Sequence, residues 1–392
     1  MTGGGSGGHI TPILAVAHEL KRLRPEVRII YVSQTGDPLE DIPAADLAID
    51  EVYHVRAGKF RRYHGEGWRQ LLDFETWFLN IRDAFWALVG LWQSFWLLGK
   101  LKPAVIFTRG SFVSVPVCLA AAFRRVPYIT HDSDAIPSLT NRLVAPWAAV
   151  HAVALPEEIY PYPIDRTVTV GVPISEDYKP VDDKLRKKYK EELHLEGYEW
   201  MLLATGGGLG AKAINEAMVA NAAELLGRYP GLVIVHLAGR VHADAIEAAY
   251  KAALGPELFS RVKVLGFVTE LYRYSGAANL VIARAGATNL AELAVQAKPC
   301  IIVPSAFLTG GHQLKNTQAL AKNGAVVQLT DEQIEQELRL SSVVTDLFDH
   351  PTKMKQLSRQ FATFAKPDAA RHIATIVLEK AKPEAAGATA DV

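Results

Sequence analysis

The chain has 392 residues, of which 49% are hydrophobic and 21% are charged. This length suits two or three domains, and the composition excludes a disordered or fibrous chain. Basic and acidic residues both number 42, so net charge argues neither for nor against a polyanionic partner. No secretory signal peptide is recognisable. Cys118 and Cys300 lie in apolar runs, which predicts buried, reduced thiols in a cytosolic protein.

A glycine-rich segment, Gly3–Gly8, opens the chain and is followed by His9 and Pro12. Glycines permit a tight turn, and proline suits a first helical position, so a helix is predicted to begin near Pro12. Its free N–H groups favour an anionic group beside the histidine. Such a turn normally follows a buried strand, but only Met1 and Thr2 precede this one. The first sheet is therefore expected to lack its central strand, as in a chain that starts late or is truncated.

Strands and helices then alternate through the first half. The strands are predicted at 28–33, 104–108, 128–131, 149–154 and 167–171, and helices at 69–100, after Ser111 to Ala122, and at 138–146. Residues 34–54 show only turn signals and short apolar runs. The alternation predicts a parallel sheet that helices cover on both faces.

The pattern restarts after a polar linking segment at 172–198. A second glycine turn, Gly206–Gly210, follows a strand at 201–205 and precedes a helix at 211–227. Further strands are predicted at 232–238, 261–265, 279–283 and 299–303, a last helix at about 352–381, and a disordered tail from Lys382. The fold class is therefore α/β, with two Rossmann-like, doubly wound halves. Ligands of such sheets bind outside the carboxyl ends of the strands, so two facing halves would make a cleft.

Three positions carry candidate chemistry. His9 at the glycine turn suits a general base, because its pKa lies near neutrality; the alternative is a helix cap or a phosphate contact. Arg109, after the strand at 104–108, adds a fixed charge for an anion. Glu292 lies one to two turns into the helix that Arg284–Thr288 opens, where it can accept two hydroxyl groups; the alternative is a glutamate that complements the helix dipole.

Residues 84–98 are nearly all apolar. As a helix they would span about 22 Å, short of the roughly 30 Å hydrocarbon core, so they are not expected to cross a membrane. Five of the seven tryptophans lie between 68 and 96, beside the basic residues of 56–69. Tryptophan and basic residues favour an anionic bilayer surface. We expect one helix face in the core and the other on a membrane.

Six segments together resemble the MurG family of lipid-linked N-acetylglucosaminyltransferases, which have the GT-B fold and belong to glycosyltransferase family 28. The segments are Gly4–His9 with Pro12, Ala57–Tyr63, His131–Asn141, Gly206–Ala211, Arg284–Glu292 and His312–Asn316. Each is weak alone, but their order and spacing from Gly3 to about residue 330 are specific.

The resemblance implies an inverting, metal-independent enzyme of peptidoglycan synthesis, acting at the cytoplasmic face of the cell membrane. It would transfer N-acetylglucosamine from UDP-N-acetylglucosamine to the C4 hydroxyl of undecaprenyl-diphospho-N-acetylmuramoyl-pentapeptide, converting lipid I into lipid II. No cofactor, metal or nucleic acid is implied. The partners are the two substrates, an anionic membrane surface and other cell-wall synthesis proteins.

The matching positions give the candidate site residues. The catalytic candidates are His9 and Asp134. The acceptor-binding candidates are Gly7, Gly8, Arg109, Gly110, Ser111 and Asn141. The candidates for binding UDP-N-acetylglucosamine are Gly207, Gly208, Gly210, Phe267, Val268, Ala287, Thr288, Glu292, His312 and Gln313. We expect residues 1–172 to form an acceptor- and membrane-binding domain and 173–365 a donor-binding domain, with 366–381 packing back on the first and 382–392 disordered.

The chain departs from the family pattern at several positions. Gly208-Leu209 replaces a usual Ser-Gln, and Gly171–Ser175 lacks a usual arginine near the diphosphate. Asp132 and Asp134 stand where the family has Glu and Asn, so Asp134 is an alternative base or an altered acceptor contact. Asp-x-Asp also marks metal sites in the GT-A fold, but two carboxylates alone make a poor magnesium site. These departures leave open a sibling enzyme with another acceptor or donor, or a non-catalytic nucleotide-sugar-binding scaffold.

Overall fold

The computed structural model describes residues 1–5, 7–58, 74–305 and 312–381, with the side chains of 74–81 and 312 excepted. Ser6, most of the basic segment Ala57–Tyr63, residues 306–311 and the residues from Lys382 onward, which were predicted to be disordered, lie outside this description. The chain divides into two compact units: a first unit of Met1–Ser175 with the segment from Pro367 onward, and a second unit of Glu176–Lys366.

The first unit is built on parallel strands. These are β1 (Ile30–Gln34), β2 (Glu51–Val55), β3 (Ile106–Thr108), β4 (Tyr128–Asp132), β5 (Val150–Val153) and β6 (Thr167–Thr169). Its helices are α1 (Gly7–Leu23), α2 (Asp41–Ala45), α3 (Phe74–Leu101), α4 (Ser114–Phe123) and α5 (Leu139–Val144), with α16 (Ala369–Lys380) joining from the far end of the chain.

Met1 and Thr2 occupy the central strand position that the sequence appeared to leave empty. Thr2 forms parallel bridges with both Val32 of β1 and Thr108 of β3. The Thr2 N–H donates to Phe107 O at 3.0 Å, and the Val32 N–H donates to Met1 O at 2.9 Å. The prediction of a missing strand was therefore wrong, because two residues suffice to join β2–β1 to β3–β4–β5–β6.

Alternating side chains of this sheet pack on opposite faces. Tyr31 packs with Ile13 of α1 and Ile373 of α16, whereas the next residue, Val32, packs with Val117 of α4. Burial of both faces explains the continuous apolar runs of these strands. The prediction of a parallel sheet covered on both sides is confirmed.

The second unit repeats this plan. Its strands are β7 (Trp200–Thr205), β8 (Leu232–Leu237), β9 (Val262–Leu265), β10 (Leu280–Ala283), β11 (Cys300–Ile302) and β12 (Val327–Gln328), in the spatial order β12–β11–β10–β7–β8–β9 and all parallel. Its helices are α6 (Asp183–Glu192), α7 (Lys212–Arg228), α8 (Ala243–Ala253), α9 (Pro256–Phe259), α10 (Leu271–Ala277), α11 (Ala287–Val295), α12 (His312–Lys322), α13 (Asp331–Ile334), α14 (Arg339–Asp349) and α15 (Pro351–Ala362).

Two predicted helix boundaries were wrong. Helix α1 begins at Gly7, so Pro12 is its sixth residue and lies inside it; because proline has no N–H, it cannot donate to the Gly8 carbonyl one turn earlier. The predicted helix at 352–381 is two helices, α15 and α16. Pro367 lies between them, lacks an N–H and disfavours helical backbone in the residue before it.

Other elements were missed. Strand β2 lies in the segment predicted as turns, and its alternating burial is too weak for a clear two-residue period.

Helix α3 is 28 residues long. Among the described residues, no helix combines the length and apolar character that a membrane-spanning segment needs. Both cysteines are free and buried, as predicted.

Candidate functional site

The carboxylate of Asp37 holds the glycine turn of the first unit. It accepts from Gly5 N–H at 2.8 Å, from the Ser33 hydroxyl at 3.1 Å and from Leu39 N–H at 3.0 Å. A Cβ on Gly4, where φ is +150°, would lie 2.3 Å from Asp37 Oδ2. The turn therefore requires glycine and a buried carboxylate together. Asp37 was not among the residues predicted from the sequence, although its place in a Gly-Asp-Pro turn shortly after β1 was a signal.

Gly7 and Gly8 form the first turn of α1. A Cβ on either would meet no atom within 4 Å, so this backbone faces open space. The first N–H groups of a helix have no intrahelical acceptor and lie at the positive end of the helix dipole. The structure therefore places these predicted residues at an accessible anion-binding end of a helix.

His9 follows in the same turn and is half-buried. Burial and, to a smaller extent, the positive charge of Arg109 lower its pKa to about 4, although the Asp134 carboxylate and a hydrogen bond with the Arg109 backbone act in the opposite direction. Its Nδ1 atom is buried and has no hydrogen-bond partner. The imidazole is therefore neutral at neutral pH, the form that can accept a proton.

A second turn, Arg109–Ser111, follows β3. Arg109 is only 8% exposed, and its guanidinium donates to the Ser133 hydroxyl, with Nε at 2.9 Å. Gly110 has φ of +82°, and a Cβ there would lie 2.5 Å from Ser138 Oγ. The Thr140 hydroxyl donates to the Gly110 carbonyl. These contacts lock the turn after β3 to the segment after β4.

Ser111 and Asn141 are buried within this arrangement. The hydroxyls of Ser111 and Ser114 lie 3.3 Å apart. Asn141 Nδ2 donates to His131 O at 2.9 Å, whereas its Oδ1 is buried without a hydrogen-bond partner. Asn141 therefore fixes the end of β4 and retains an unused acceptor.

The two aspartates after β4 have different surroundings. Asp132 is buried, which raises its pKa, and its carboxylate accepts from Tyr162 OH at 2.7 Å and Ser138 N–H at 3.0 Å. Asp134 is less buried, and its backbone carbonyl accepts from Tyr160 OH at 3.1 Å. The structure thus brings His9, Arg109 and Asp134 together. Asp132, in contrast, has a supporting role, because its carboxylate is held by Tyr162 and Ser138. Across the described residues, no group of three or more His, Cys, Asp and Glu side chains could hold a metal ion.

In the second unit, Gly206–Gly210 forms a turn between β7 and α7. Gly207 and Gly210 have φ of +80° and +79°, and a Cβ on Gly210 would lie 2.2 Å from Ala238 O. Leu209 is 85% exposed at the tip of the turn. The departure from the usual Ser-Gln pair thus places an apolar side chain in solvent, while the backbone keeps its turn.

Phe267 lies beside this turn. Its ring is 3.7 Å from the position of a Cβ on Gly208, and the Arg240 guanidinium lies 4.2 Å above the ring centroid. Val268 packs against the core. Arg240 was missed by the sequence analysis, although a glycine-arginine pair directly after a buried strand is a recognisable signal for a strand-end turn.

Helix α11 begins as predicted, with Gly286 as its N-cap and Ala287 and Thr288 in its first turn. Glu292 lies one turn further on and accepts a hydrogen bond from the Tyr178 hydroxyl. Burial raises the pKa of Tyr178 well above its usual value, and Glu292 raises it further. Tyr178 comes from the segment before α6, and its contact with Glu292 was not predicted from the sequence.

The last candidates flank α11. Arg284 donates to Val303 O at 3.1 Å and pairs with Asp331 at 2.6 Å. Gln313 is buried, and its amide oxygen accepts from Ser305 N–H at 2.9 Å. His312 begins α12, but its side chain lies outside the described residues. The structure therefore gathers the described donor-site candidates of the second unit at the carboxyl ends of β7, β9, β10 and β11.

Comparisons with known proteins give a consistent result. Residues 1–153 match the model of the glycosyltransferase family 28 N-terminal domain, and residues 201–373 match that of the C-terminal domain. A relative from Natranaerobius thermophilus, named UDP-N-acetylglucosamine--N-acetylmuramyl-(pentapeptide) pyrophosphoryl-undecaprenol N-acetylglucosamine transferase, is 32% identical over 365 residues, covering 91% of this chain and 95% of the relative. A relative of the same name from Desulfitobacterium hafniense is 29% identical and covers 97% and 98%.

Solved structures share the fold. Acinetobacter baumannii MurG superposes with a TM-score of 0.67 at 22% identity, covering 97% of this chain and 98% of that one. A UDP-GlcNAc 2-epimerase from Neisseria meningitidis, bound to UDP-GlcNAc, superposes with a TM-score of 0.64 at 12% identity, covering 96% and 99%. The predicted GT-B fold is confirmed by these superpositions.

Proposed function

The chain belongs to glycosyltransferase family 28, and we propose that it transfers N-acetylglucosamine from UDP-N-acetylglucosamine to the C4 hydroxyl of undecaprenyl-diphospho-N-acetylmuramoyl-pentapeptide, making lipid II. The observation that carries this proposal is in the first unit: a neutral histidine lies in the exposed first turn of α1, within electrostatic reach of Arg109 and Asp134. This arrangement supplies a base, a cation and a carboxylate for an inverting displacement.

His9 acts as the general base in the proposed mechanism. It accepts the proton of the C4 hydroxyl as that oxygen attacks the anomeric carbon of the donor and UDP leaves from the opposite face. Asp134 stabilises the imidazolium that forms, because a nearby carboxylate favours the charged state. An acceptor diphosphate bound at Arg109 would offset the charge that lowers the pKa of His9. Acceptor binding would thereby strengthen the base where it is needed. Asp134 is the alternative base.

The acceptor diphosphate would be held by backbone and fixed charge. Gly7 and Gly8 offer N–H groups at the start of α1, and Arg109, Gly110 and Ser111 form the neighbouring turn. Asn141, which is wholly buried, would support this site by fixing the end of β4 through its hydrogen bond to His131 O.

The second unit would bind the donor without a metal ion. The diphosphate would lie at the turn formed by Gly207, Gly208 and Gly210 and at the start of α11 with Ala287 and Thr288, because helix N-termini neutralise anions. Glu292 would accept the ribose hydroxyls, and Phe267 and Val268 would contact uracil. His312 and Gln313 would contact the sugar. Because the amide oxygen of Gln313 already binds Ser305 N–H, its contact would use the amide nitrogen.

The proposed location is the cytoplasmic face of the cell membrane, without a spanning segment. Helix α3 exposes a set of large apolar side chains, namely Phe85, Leu88, Trp92, Phe95 and Trp96. We call this set the α3 aromatic face. Contiguous exposed apolar surface marks an interaction site, and tryptophan favours the bilayer interface. A lipid-linked acceptor would be reached from that surface.

Incubation with UDP-N-acetylglucosamine and a lipid I analogue tests the proposal. Stoichiometric UDP release and a disaccharide product support it. Turnover with another UDP-sugar or another lipid acceptor indicates a sibling enzyme, for which the exposed Leu209 gives a structural reason. Tight UDP binding without turnover indicates a non-catalytic scaffold.

A further inference from the structure

A pocket in the first unit contains none of the candidate catalytic, acceptor-binding or donor-binding residues. It has a volume of about 300 Å³, at the lower end of the range for small-molecule sites, so it suits part of a larger ligand. Arg56 and Ala57 follow β2, Trp86 and the Arg82–Asp83 pair belong to α3, and Phe112 lies in the turn after β3. The pocket is therefore formed where strand ends meet α3.

Close backbone contacts hold the end of β2 against α3 on one side of the pocket. A Cβ on Gly58 would lie 1.9 Å from Asp83 O, and one on Gly90 would lie 1.8 Å from Arg56 O. The Arg56 N–H donates to Gln93 Oε1 at 2.8 Å. The end of β2 thus lies directly on α3, and the Arg56 side chain projects from an anchored backbone.

The pocket is amphipathic and carries a net positive charge. The Arg56 guanidinium lies 3.9 Å above the Trp86 ring centroid. Arg82 pairs with Asp83 at 3.0 Å, so these two charges compensate each other and the Arg56 charge remains. Trp86, Phe112 and Ala57 supply apolar surface. A fitting ligand therefore combines one anionic group with an apolar chain.

Two features beside the pocket, the glycine turn and the α3 aromatic face, indicate which ligand it binds. Phe112 also packs against the glycine turn, because a Cβ on Gly5 would lie 3.1 Å from its ring. Helix α3, which lines the pocket, also presents the α3 aromatic face, which runs from Phe85, next to Trp86, to Trp96 about three turns further along. The pocket thus lies between the turn that would hold the acceptor diphosphate and the surface that would face the bilayer.

We propose that this pocket binds the prenyl-phosphate end of the acceptor, with Arg56 on the phosphate that bears the lipid and with Trp86 and Phe112 on the first isoprene units. This inference rests on the proposed function and deepens it. It gives the chain a means of selecting a prenylated diphosphate over a soluble sugar nucleotide carrying the same muramyl-peptide.

The test compares Arg56→Ala and Arg56→Lys with Arg124→Ala. Arg124 is the matched control, because its guanidinium also lies 3.9 Å above an aromatic ring of α3, that of Phe95, but outside the pocket. With a lipid I analogue of two isoprene units, Arg56→Ala should raise the acceptor KM at least about 10-fold and leave the UDP-N-acetylglucosamine KM unchanged. Arg56→Lys should recover part of the loss, and Arg124→Ala should match the wild type.

A second measurement does not need turnover. Titration calorimetry with geranyl diphosphate should show binding that weakens about 10-fold in Arg56→Ala, and inorganic diphosphate should show a smaller loss. If geranyl diphosphate binds both proteins equally while the wild type makes product, the inference fails and the proposed function stands. If it binds only the wild type but no acceptor is turned over, the function fails instead. A KM effect that follows truncation of the peptide rather than of the prenyl chain would assign the pocket to a peptide carboxylate and overturn the proposal.

Discussion

The Tyr178 hydroxyl donates a hydrogen bond to the carboxylate of Glu292. The two residues are more than 100 positions apart, and the contact aims the carboxylate from the segment before α6. A carboxylate with one donor already in place loses less freedom when it accepts the two hydroxyls of a ribose. Tyr178 therefore acts as a positioning residue for the proposed nucleotide site.

Removal of Glu292 should weaken UDP binding by about 1–3 kcal/mol, because it removes a charged acceptor of hydroxyl groups. Tyr178→Phe should weaken it less, since the carboxylate remains. Isothermal titration with UDP measures both variants, and the exposed Glu257→Ala in the same unit is the control. An unchanged affinity in Glu292→Ala would remove this residue from the ribose.

His9→Ala should lower kcat by about 10²–10⁴-fold, the usual contribution of a general base, and leave the affinity for UDP unchanged. The matched control is His18→Ala on the same helix, where the exposed imidazole binds Asp46 at 3.1 Å. Steady-state kinetics provide the readout. Full activity in His9→Ala together with a large loss in Asp134→Asn would make Asp134 the base.

The α3 aromatic face should bind vesicles that contain anionic lipid, and added salt should weaken the binding because it screens surface charge. Trp92→Ala with Trp96→Ala should reduce the bound fraction in a flotation assay. Trp147→Ala, an exposed tryptophan of the first unit outside α3, should leave it unchanged. Equal loss in all variants, or binding indifferent to charge and salt, would contradict a membrane role for this face.

Stability should fall as pH drops below about 6.5. Burial, together with a nearby arginine at His131 and at His151, lowers the pKa of His131 to about 3 and those of His151 and His236 to about 4. Between pH 6.5 and 4 the unfolded chain therefore binds protons that the folded chain does not, so the free energy of unfolding decreases with falling pH.

Thermal unfolding midpoints measured across this range provide the check. His236→Gln should flatten the decline, because one depressed pKa is removed. A midpoint that stays constant or rises from pH 6.5 to 4 would show that these imidazoles are protonated in the folded chain.

Much of the fold could be predicted from sequence, because buried parallel strands such as β7 and β8 are continuous apolar runs between glycine turns. Short sequence patterns gave wrong predictions where contacts between distant parts of the chain determine the secondary structure. Pro12 suggested a helix start, yet Gly7 already begins the helix. Thr2 completes the sheet because both neighbouring strands are present to pair with it.

The same limit applies to the sites. The turn at Gly206–Gly210 and the start of α11 could be predicted, because glycine shortly after a strand allows the tight turn that leads into a helix. The support by Asp37, Tyr162 and Tyr178 could not be predicted, because each acts through a partner brought near by folding. Gln313 was predicted from its motif as a sugar contact. In the structure, its amide oxygen instead accepts a hydrogen bond from Ser305 N–H.

The central claim is an inverting transfer to a C4 hydroxyl. The most direct measurement is NMR analysis of the linkage in the product made from UDP-N-acetylglucosamine and a lipid I analogue, without added metal and in the presence of a chelator. The account predicts a single β-configured N-acetylglucosamine at C4 of the muramyl sugar, formed at an undiminished rate. An α-linkage, attachment at another hydroxyl or activity abolished by the chelator would contradict it.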